Sequence, residues 1–252
     1  MPAGYQRRLT EHFGTSLDWQ LLAKQGTRHS LYNAHTSNQS WVARIAADAQ
    51  LPLGVDPYRE AKVIAAISRF EWGIDPAIFD PLSGFMLMQH LGFNHPEGPL
   101  GTHKIDQLIK AINEMHAIED LPGLNYQALL MRYREAFKGE SDDLLALVDE
   151  TENALARLPM IGESLVHHDL HTGNLLWGPS LSIVDWEYAG LGNPWLDYAS
   201  VVSEIGLEIE QLTRFDRLKS LSLDDIEFAI ASAIEINDRL DRIWRYYLDK
   251  QT

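Results

Sequence analysis

The sequence predicts an α+β fold of two lobes, in which a small antiparallel sheet with one helix precedes a larger, mainly helical lobe with an embedded hairpin. Strand-like segments dominate the first part of the chain, and helical periodicity dominates most of the rest. A stretch rich in glycine and proline, 92–103, separates the two compositions. We therefore expect an N-terminal lobe of residues 1–91, a C-terminal lobe of residues 92–252, and a cleft between them.

The N-terminal lobe is expected to be an antiparallel meander that follows a short polar helix at 5–13. Its strand candidates are separated by turn-like residues, and they are 17–24, 30–36, 40–46, 77–80 and 84–90. Apolar residues recur at helical spacing over 58–70, and Pro57 suits the start of that helix. Pro81 and Gly84 bound the last two strands, which favours strands over buried helix fragments.

The C-terminal lobe is expected to be helical around a short interruption of strand character. Its helix candidates are 104–118, 126–137, 141–158 and much of the chain from Trp195 onward. Strand-like residues return in "SLVH", "NLLWG" and "LSIVDW", and the last two are joined through Gly178, Pro179 and Ser180 as a hairpin. This order of elements is typical of a bilobal enzyme with a cleft.

Composition excludes several classes of protein. The 252 residues include no cysteine, so disulfides, thiolate metal sites and cysteine nucleophiles are absent. The net charge of −15 disfavours a nucleic-acid binder. The same negative charge is compatible with a cationic small-molecule substrate. The sequence contains no run of about 18 apolar residues, which a membrane span would need. We therefore expect a cytoplasmic protein that is a monomer or a homodimer and has no membrane or nucleic-acid partner.

The stretch "HHDLHTGN", residues 167–174, carries the strongest chemical signal. Asp169 lies in this loop, Asn174 closes it, and Asp185 ends the second strand of the hairpin that follows. If the hairpin folds back, Asp185 approaches Asn174, and one amide and one carboxylate oxygen suit Mg²⁺ when substrate phosphates supply further ligands. Asp169 is then available to accept a proton from an attacking hydroxyl.

Two other interpretations of this stretch stay open. The histidines could ligate zinc in a metal-dependent hydrolase, although such sites need further ligands at later strand ends and no histidine follows His171. The loop could also be a polar turn with capping side chains. The ordered set of His167, Asp169, Asn174 and Asp185 favours phosphoryl transfer over both.

These residues, with Asp185 inside "IVDWEYAG", resemble the aminoglycoside phosphotransferase and choline kinase superfamily, whose members have a protein-kinase-like fold. "DWEYAG" is most similar to bacterial choline or thiamine kinases. The resemblance implies an enzyme that uses ATP and Mg²⁺ to phosphorylate an alcohol of a small molecule. A non-catalytic pseudokinase is a further alternative, although the metal and base positions are all filled.

The resemblance also implies roles in the C-terminal lobe. Asp169 would be the catalytic base, and His167 would brace the loop. Asn174 and Asp185 would hold Mg²⁺. Asp197, in "NPWLDYA", would support the catalytic loop from the following helix.

In the N-terminal lobe the resemblance implies a nucleotide site. Arg44 would contact the phosphates and Glu60 would be its helix partner; an arginine stays charged and grips oxygens bidentately. The phosphate-covering loop would be "KQGTRHS", which has the single glycine Gly26. Backbone groups around Gln89 and Leu91 would bind adenine.

The acceptor is expected to be an alcohol with a positive charge. Trp186, Glu187 and Tyr188 combine aromatic faces with a carboxylate, which suits choline or thiamine through cation–π attraction. Ethanolamine, aminoglycosides, sugars and other amino alcohols are the alternative acceptors. The same aromatic residues could instead pack the helical lobe.

Overall fold

The structure of the protein is a computed structural model that describes residues 1–22, 29–46, 51–94 and 98–250. Seven α-helices lie within these ranges: α1 (Ala3–Phe13), α2 (Pro57–Ile67), α3 (Thr102–His116), α4 (Tyr126–Ala136), α5 (Asp142–Arg157), α6 (Trp195–Ser203) and α7 (Leu223–Asp249). The same ranges contain ten strands: β1 (Gln20–Leu21), β2 (His29–His35), β3 (Ser40–Ala46), β4 (Ile78–Asp80), β5 (Phe85–Gln89), β6 (Phe93–Asn94), β7 (Ser164–Val166), β8 (Leu175–Trp177), β9 (Leu181–Ile183) and β10 (Gly190–Gly192). Short 3₁₀ turns are found at Thr172–Asn174 and Ile209–Arg214.

The N-terminal sheet is antiparallel throughout, with the strand order β1-β2-β3-β5-β4. Leu9 of α1 packs against apolar side chains of β3 and β5, including Trp41 and Phe85. Helix α2 begins where Pro57 predicts, because Asp56 caps it by accepting hydrogen bonds from two backbone N–H groups. The cap fixes the start of α2 beside the sheet.

The C-terminal lobe surrounds two small sheets with helices. Strands β6, β8 and β9 form one sheet, and β7 pairs with β10 in the other. The largest apolar cluster includes Ile64 and Met86 from the first lobe and Ile112, Leu175 and Trp186 from the second. Residues of both lobes therefore belong to one apolar core.

The predicted α+β bilobal fold is confirmed, with local differences. The strand predicted over 17–24 is described through residue 22, and two residues of that part, Gln20–Leu21, are strand. Strands β6 and β10 were not expected, because glycine-rich segments such as "GLG" lack strand propensity and pair here through tertiary contacts. No helix in the described part of the chain has the length and apolar character needed to cross a bilayer.

The boundary between the lobes follows from strand pairing. Strand β5 is the last strand of the N-terminal sheet in chain order and ends at Gln89. Strand β6 begins at Phe93 and pairs with β8 of the second lobe. We propose on this basis that the lobes divide into residues 1–91 and 92–252.

Candidate active site

Asp197 of α6 holds the loop between β7 and β8. Its carboxylate is fully buried and accepts hydrogen bonds from the backbone N–H groups of His167, at 2.9 Å, and His168, at 3.2 Å. The Nε2 atom of His116 on α3 lies 3.1 Å from the same carboxylate. Burial alone would raise the pKa of Asp197, but the hydrogen bond and charge of His116 hold it below its ordinary value. The loop is thus fastened to a buried anion.

The three histidines of the loop contact three different partners. His167 is buried, and its Nε2 atom lies 2.9 Å from the carbonyl oxygen of Val184. His168 Nε2 lies 2.5 Å from the hydroxyl oxygen of Tyr126. His171 Nδ1 accepts a hydrogen bond from a backbone N–H two residues further on, at 2.9 Å, and so caps the 3₁₀ turn. The histidines do not converge, so the zinc interpretation of this loop lacks its ligand set.

Asp169 and Asn174 face each other across the loop. The amide nitrogen of Asn174 donates to the carbonyl oxygen of Asp169, at 2.8 Å, and to its carboxylate, at 3.3 Å. The amide oxygen is therefore the side-chain atom of Asn174 that could ligate a metal. The Asp169 side chain is 45% exposed. Partial burial raises its pKa, His167 and His171 oppose this effect, and Asp185 adds to it.

The β8–β9 hairpin brings Asp185 to the same end of the hairpin as Asn174. Leu175 pairs with Ile183, and the backbone N–H of Val184 donates to the carbonyl oxygen of Asn174 at 3.0 Å. Asp185 is the next residue and has a φ of 68°, in the left-handed region. Its side chain is 37% exposed, so its carboxylate is accessible to a ligand.

Arg44 of β3 connects the N-terminal lobe to this carboxylate. Its Nη2 atom lies 2.5 Å from Glu60 of α2, and its Nη1 atom lies 3.4 Å from Asp185. Both members of the Arg44–Glu60 pair are buried, with side chains 7% exposed. Burial lowers the pKa of Arg44, but the charges of Glu60, Asp185 and Glu187 outweigh that effect and raise it overall. The guanidinium therefore stays positive at the junction of the lobes.

His29, at the start of β2, lies beside the same group. One ring nitrogen of His29 and one carboxylate oxygen each of Asp185 and Glu187 all lie within 4.8 Å of one another. His29 Nε2 is 3.9 Å from a carboxylate oxygen of Glu187. His29 is the sixth residue of the expected phosphate-covering loop "KQGTRHS", but nothing in the sequence indicates that it lies beside Asp185 and Glu187, which follow more than 150 positions later.

The expected adenine linker runs along the hairpin. Gln89 is exposed at the end of β5, and Leu91 is half-buried. A side chain at Gly178, in the turn between β8 and β9, would come within 2.8 Å of the Leu91 carbonyl oxygen. Glycine thus allows the linker to approach the hairpin closely. Gly26, the expected phosphate-loop glycine, lies outside the described residues.

The structure narrows the aromatic set proposed for the acceptor. Trp186 has no exposed surface, its ring lies 5.9 Å from that of Trp72, and its indole N–H donates to a backbone carbonyl at 2.9 Å. It packs the core and does not offer a face to a ligand, so it leaves the acceptor set. Tyr188 is half-buried, and its hydroxyl accepts a hydrogen bond from the indole of Trp244 on α7 at 2.8 Å.

Three helical residues that hold the site were missed from the sequence. His116 contacts Asp197, and Tyr126 contacts His168. Arg59 of α2 donates to the carbonyl oxygen of Ala189, at 2.8 Å, and to that of Gly54. The resemblance assigned none of these three residues a role, and nothing else in the sequence distinguishes them from other polar helix residues.

Comparison with known proteins identifies the family. Residues 20–227 match the family model described as the phosphotransferase enzyme family, APH. The chain belongs to this family. It is therefore a phosphotransferase. No curated protein sequence matched the chain in a separate search.

Solved structures similar to this phosphotransferase share its fold. Choline kinase LicA from Streptococcus pneumoniae has a TM-score of 0.73 and 17% identity, over 99% of this chain and 92% of that one. An ethanolamine kinase from Plasmodium vivax has a TM-score of 0.67 and 15% identity, over 90% and 75% of the two chains. Macrolide 2′-phosphotransferase MphH from Brachybacterium faecium has a TM-score of 0.64 and 15% identity, over 97% and 92%.

His168 makes a testable contribution to the pH dependence of stability. Burial is the largest cause that lowers its pKa, to about 4; Arg59 and His167 lower it further and Asp197 opposes them. The unfolded chain therefore binds a proton as the pH falls from about 6.5 to about 4 while folded His168 does not, which costs at most about 3 kcal/mol of unfolding free energy. Urea unfolding near pH 7 and near pH 5 should show a larger loss for the wild type than for His168→Gln. Equal losses would contradict this assignment.

Proposed function

We propose that this phosphotransferase is an ATP- and Mg²⁺-dependent kinase that transfers the γ-phosphoryl group to an alcohol of a cationic small molecule. One observation carries the proposal. Asp169, Asn174 and Asp185 meet at one end of the hairpin, and Arg44 reaches Asp185 from the other lobe. A base, two oxygen ligands and a phosphate-binding cation are the parts that phosphoryl transfer needs.

The side chains fit a magnesium ion. Asn174 offers its amide oxygen, because its amide nitrogen is bonded to Asp169. Asp185 offers a carboxylate, and Glu187 lies close enough to add another oxygen. Hard oxygen ligands of this kind are what Mg²⁺ prefers. When bound, Mg²⁺ neutralises negative charge on the nucleotide phosphates.

Asp169 would accept the proton of the acceptor hydroxyl. The hydroxyl oxygen bonds to the γ-phosphorus, the bond from that phosphorus to the β,γ-bridging oxygen breaks, and ADP leaves. The hydroxyl proton passes to the Asp169 carboxylate, whose raised pKa favours taking it. Asn174 holds the carboxylate in place by its 3.3 Å contact.

Arg44 would bind the phosphates of the nucleotide. Its Nη2 atom is paired with Glu60, so its Nη1 atom, 3.4 Å from Asp185, is the amino group that faces the proposed metal ligand. A guanidinium has five N–H donors and stays charged, so Nη1 would still donate to a phosphate oxygen while Nη2 is paired with Glu60. Solved structures of similar fold that contain nucleotides, such as LicA in complex with AMP, support a nucleotide in this cleft.

The acceptor site would lie beside Tyr188. A hydrogen bond from the Trp244 indole to the Tyr188 hydroxyl brings two half-buried aromatic side chains together, and Glu187 places a carboxylate one residue before Tyr188. Aromatic faces with a nearby anion suit a choline- or thiamine-type cation. The choline and ethanolamine kinases among the similar structures agree with a cationic acceptor. The macrolide phosphotransferase of similar fold makes an antibiotic the second candidate.

Removing the proposed base or metal ligand should abolish transfer. Asp169→Asn and Asp185→Asn should each lower kcat by about 100-fold or more, because general-base catalysis contributes about that factor and a lost ligand weakens the metal. The measurement is coupled ADP release with and without Mg²⁺ across choline, thiamine, ethanolamine, an aminoglycoside and a macrolide. Asp75→Asn, at an exposed aspartate after α2, is the matched control. Wild-type activity in Asp169→Asn would contradict the assignment of Asp169 as the base.

A neutral analogue tests whether the acceptor is recognised by its charge. The account predicts that choline has a kcat/KM at least about tenfold above that of 3,3-dimethylbutan-1-ol, which has the same shape without the charge. Tyr188→Leu should shrink this ratio, because it removes the aromatic face and keeps an apolar side chain. Steady-state kinetics of both alcohols with both proteins gives the answer. An unchanged ratio would show that Tyr188 does not read the charge.

A further inference from the structure

Two non-glycine residues in the described ranges have a left-handed backbone, and both lie in the proposed active site. His168 has a φ of 66° and Asp185 has a φ of 68°. A side chain in this region costs free energy, so surrounding contacts must hold it there. His168 immediately precedes Asp169, so its backbone dihedrals set the direction in which Asp169 leaves the loop.

The contacts that hold His168 come from two sides. Its backbone N–H donates to Asp197 at 3.2 Å, and its ring bonds to the Tyr126 hydroxyl at 2.5 Å. The two rings meet at an interplanar angle of 61° with centroids 5.5 Å apart. Asp197 binds a backbone group that any residue would offer. Tyr126 binds the side chain, so its contact is specific to histidine.

Gly192 leaves the space for this pair. A Cβ atom on Gly192 would lie 2.7 Å from the Tyr126 hydroxyl and 2.9 Å from His168 Nε2. Gly192 belongs to β10, which pairs with β7 just before the loop. The contact is therefore enclosed by α4, β10 and the loop, and none of the residues that form it was assigned a role by the motif.

We propose that Tyr126 is a positioning residue, which bonds to His168, keeps residue 168 in its left-handed conformation and thereby aims Asp169. The inference rests on the proposed function, in which Asp169 receives the acceptor proton. It adds a residue from α4, some 40 positions earlier in the chain, to the catalytic loop. Tyr126 acts through His168 and does not itself meet the substrate.

A double-mutant cycle separates positioning from simple loss of stability. Tyr126→Phe should lower kcat about tenfold with the KM for ATP within about twofold, because a misaimed base harms the chemical step. Glycine adopts a left-handed φ without support, so His168→Gly should lower kcat less than Tyr126→Phe does. In the His168→Gly background, Tyr126→Phe should cause no further loss of kcat. Independent, multiplicative losses would overturn the proposal.

Two further variants guard against misfolding. Gly192→Ala, which forces Tyr126 and His168 apart, should reproduce the kcat loss if Tyr126→Phe does not fold. Tyr133→Phe removes another hydroxyl from α4, where Tyr133 packs against Phe137 and Tyr247, and should leave kcat unchanged. An equal loss in Tyr133→Phe would assign the effect to helix stability and overturn the proposal.

A crystal structure of Tyr126→Phe tests the inference without any activity. It should show residue 168 outside the left-handed region or Asp169 turned away from Asn174. An unchanged loop would overturn the inference even in an active kinase. If instead wild-type protein transfers phosphate to no acceptor, the proposed function fails, and this structure still decides whether Tyr126 sets the loop.

Discussion

The buried carboxylate of Asp197 is the interaction on which the site depends. A charge with no exposed surface must find donors within the protein, and it finds them in two backbone N–H groups of the loop and in His116. These bonds fix the path of the chain through His167 and His168, so Asp169 emerges at a defined point. Because the donors come from α3 and from the loop while the acceptor lies on α6, three segments of the C-terminal lobe are joined at one anion.

A second ionic group connects the lobes. Arg44 holds its charge because Glu60 and Asp185 flank it. Arg59, the residue before Glu60 on α2, donates to the carbonyl oxygen of Ala189 and so ties α2 to the segment after Glu187. A buried ion pair is weak evidence for stability, since the cost of desolvation offsets much of the attraction. Its value here is directional: Glu60 leaves the guanidinium facing Asp185. The apolar core also joins the two lobes, since it includes residues from both.

The sequence was sufficient for the parts of the site that are close together in the chain. Asp169, Asn174 and Asp185 lie within 17 consecutive positions and are joined by a predictable hairpin, so their meeting follows from local structure. Partners from distant helices, such as Tyr126 and His116, have no local signal. Trp186 shows a different difficulty: its place in the sequence suggested a role that its packing excludes. The sequence around an aromatic residue beside a functional aspartate is the same whether that residue packs the core or lines a pocket. Packing decides, and it places Trp186 between His167 and Trp72.

We propose that Asn174 and Asp185, rather than the three histidines, hold the metal where the two lobes meet. The most direct measurement is a crystal structure with Mg²⁺ and a non-hydrolysable ATP analogue. We expect an ion coordinated by the amide oxygen of Asn174 and the carboxylate of Asp185, with the terminal phosphate facing Asp169. An ion bound by His167, His168 or His171, or a nucleotide bound outside the cleft, would contradict it.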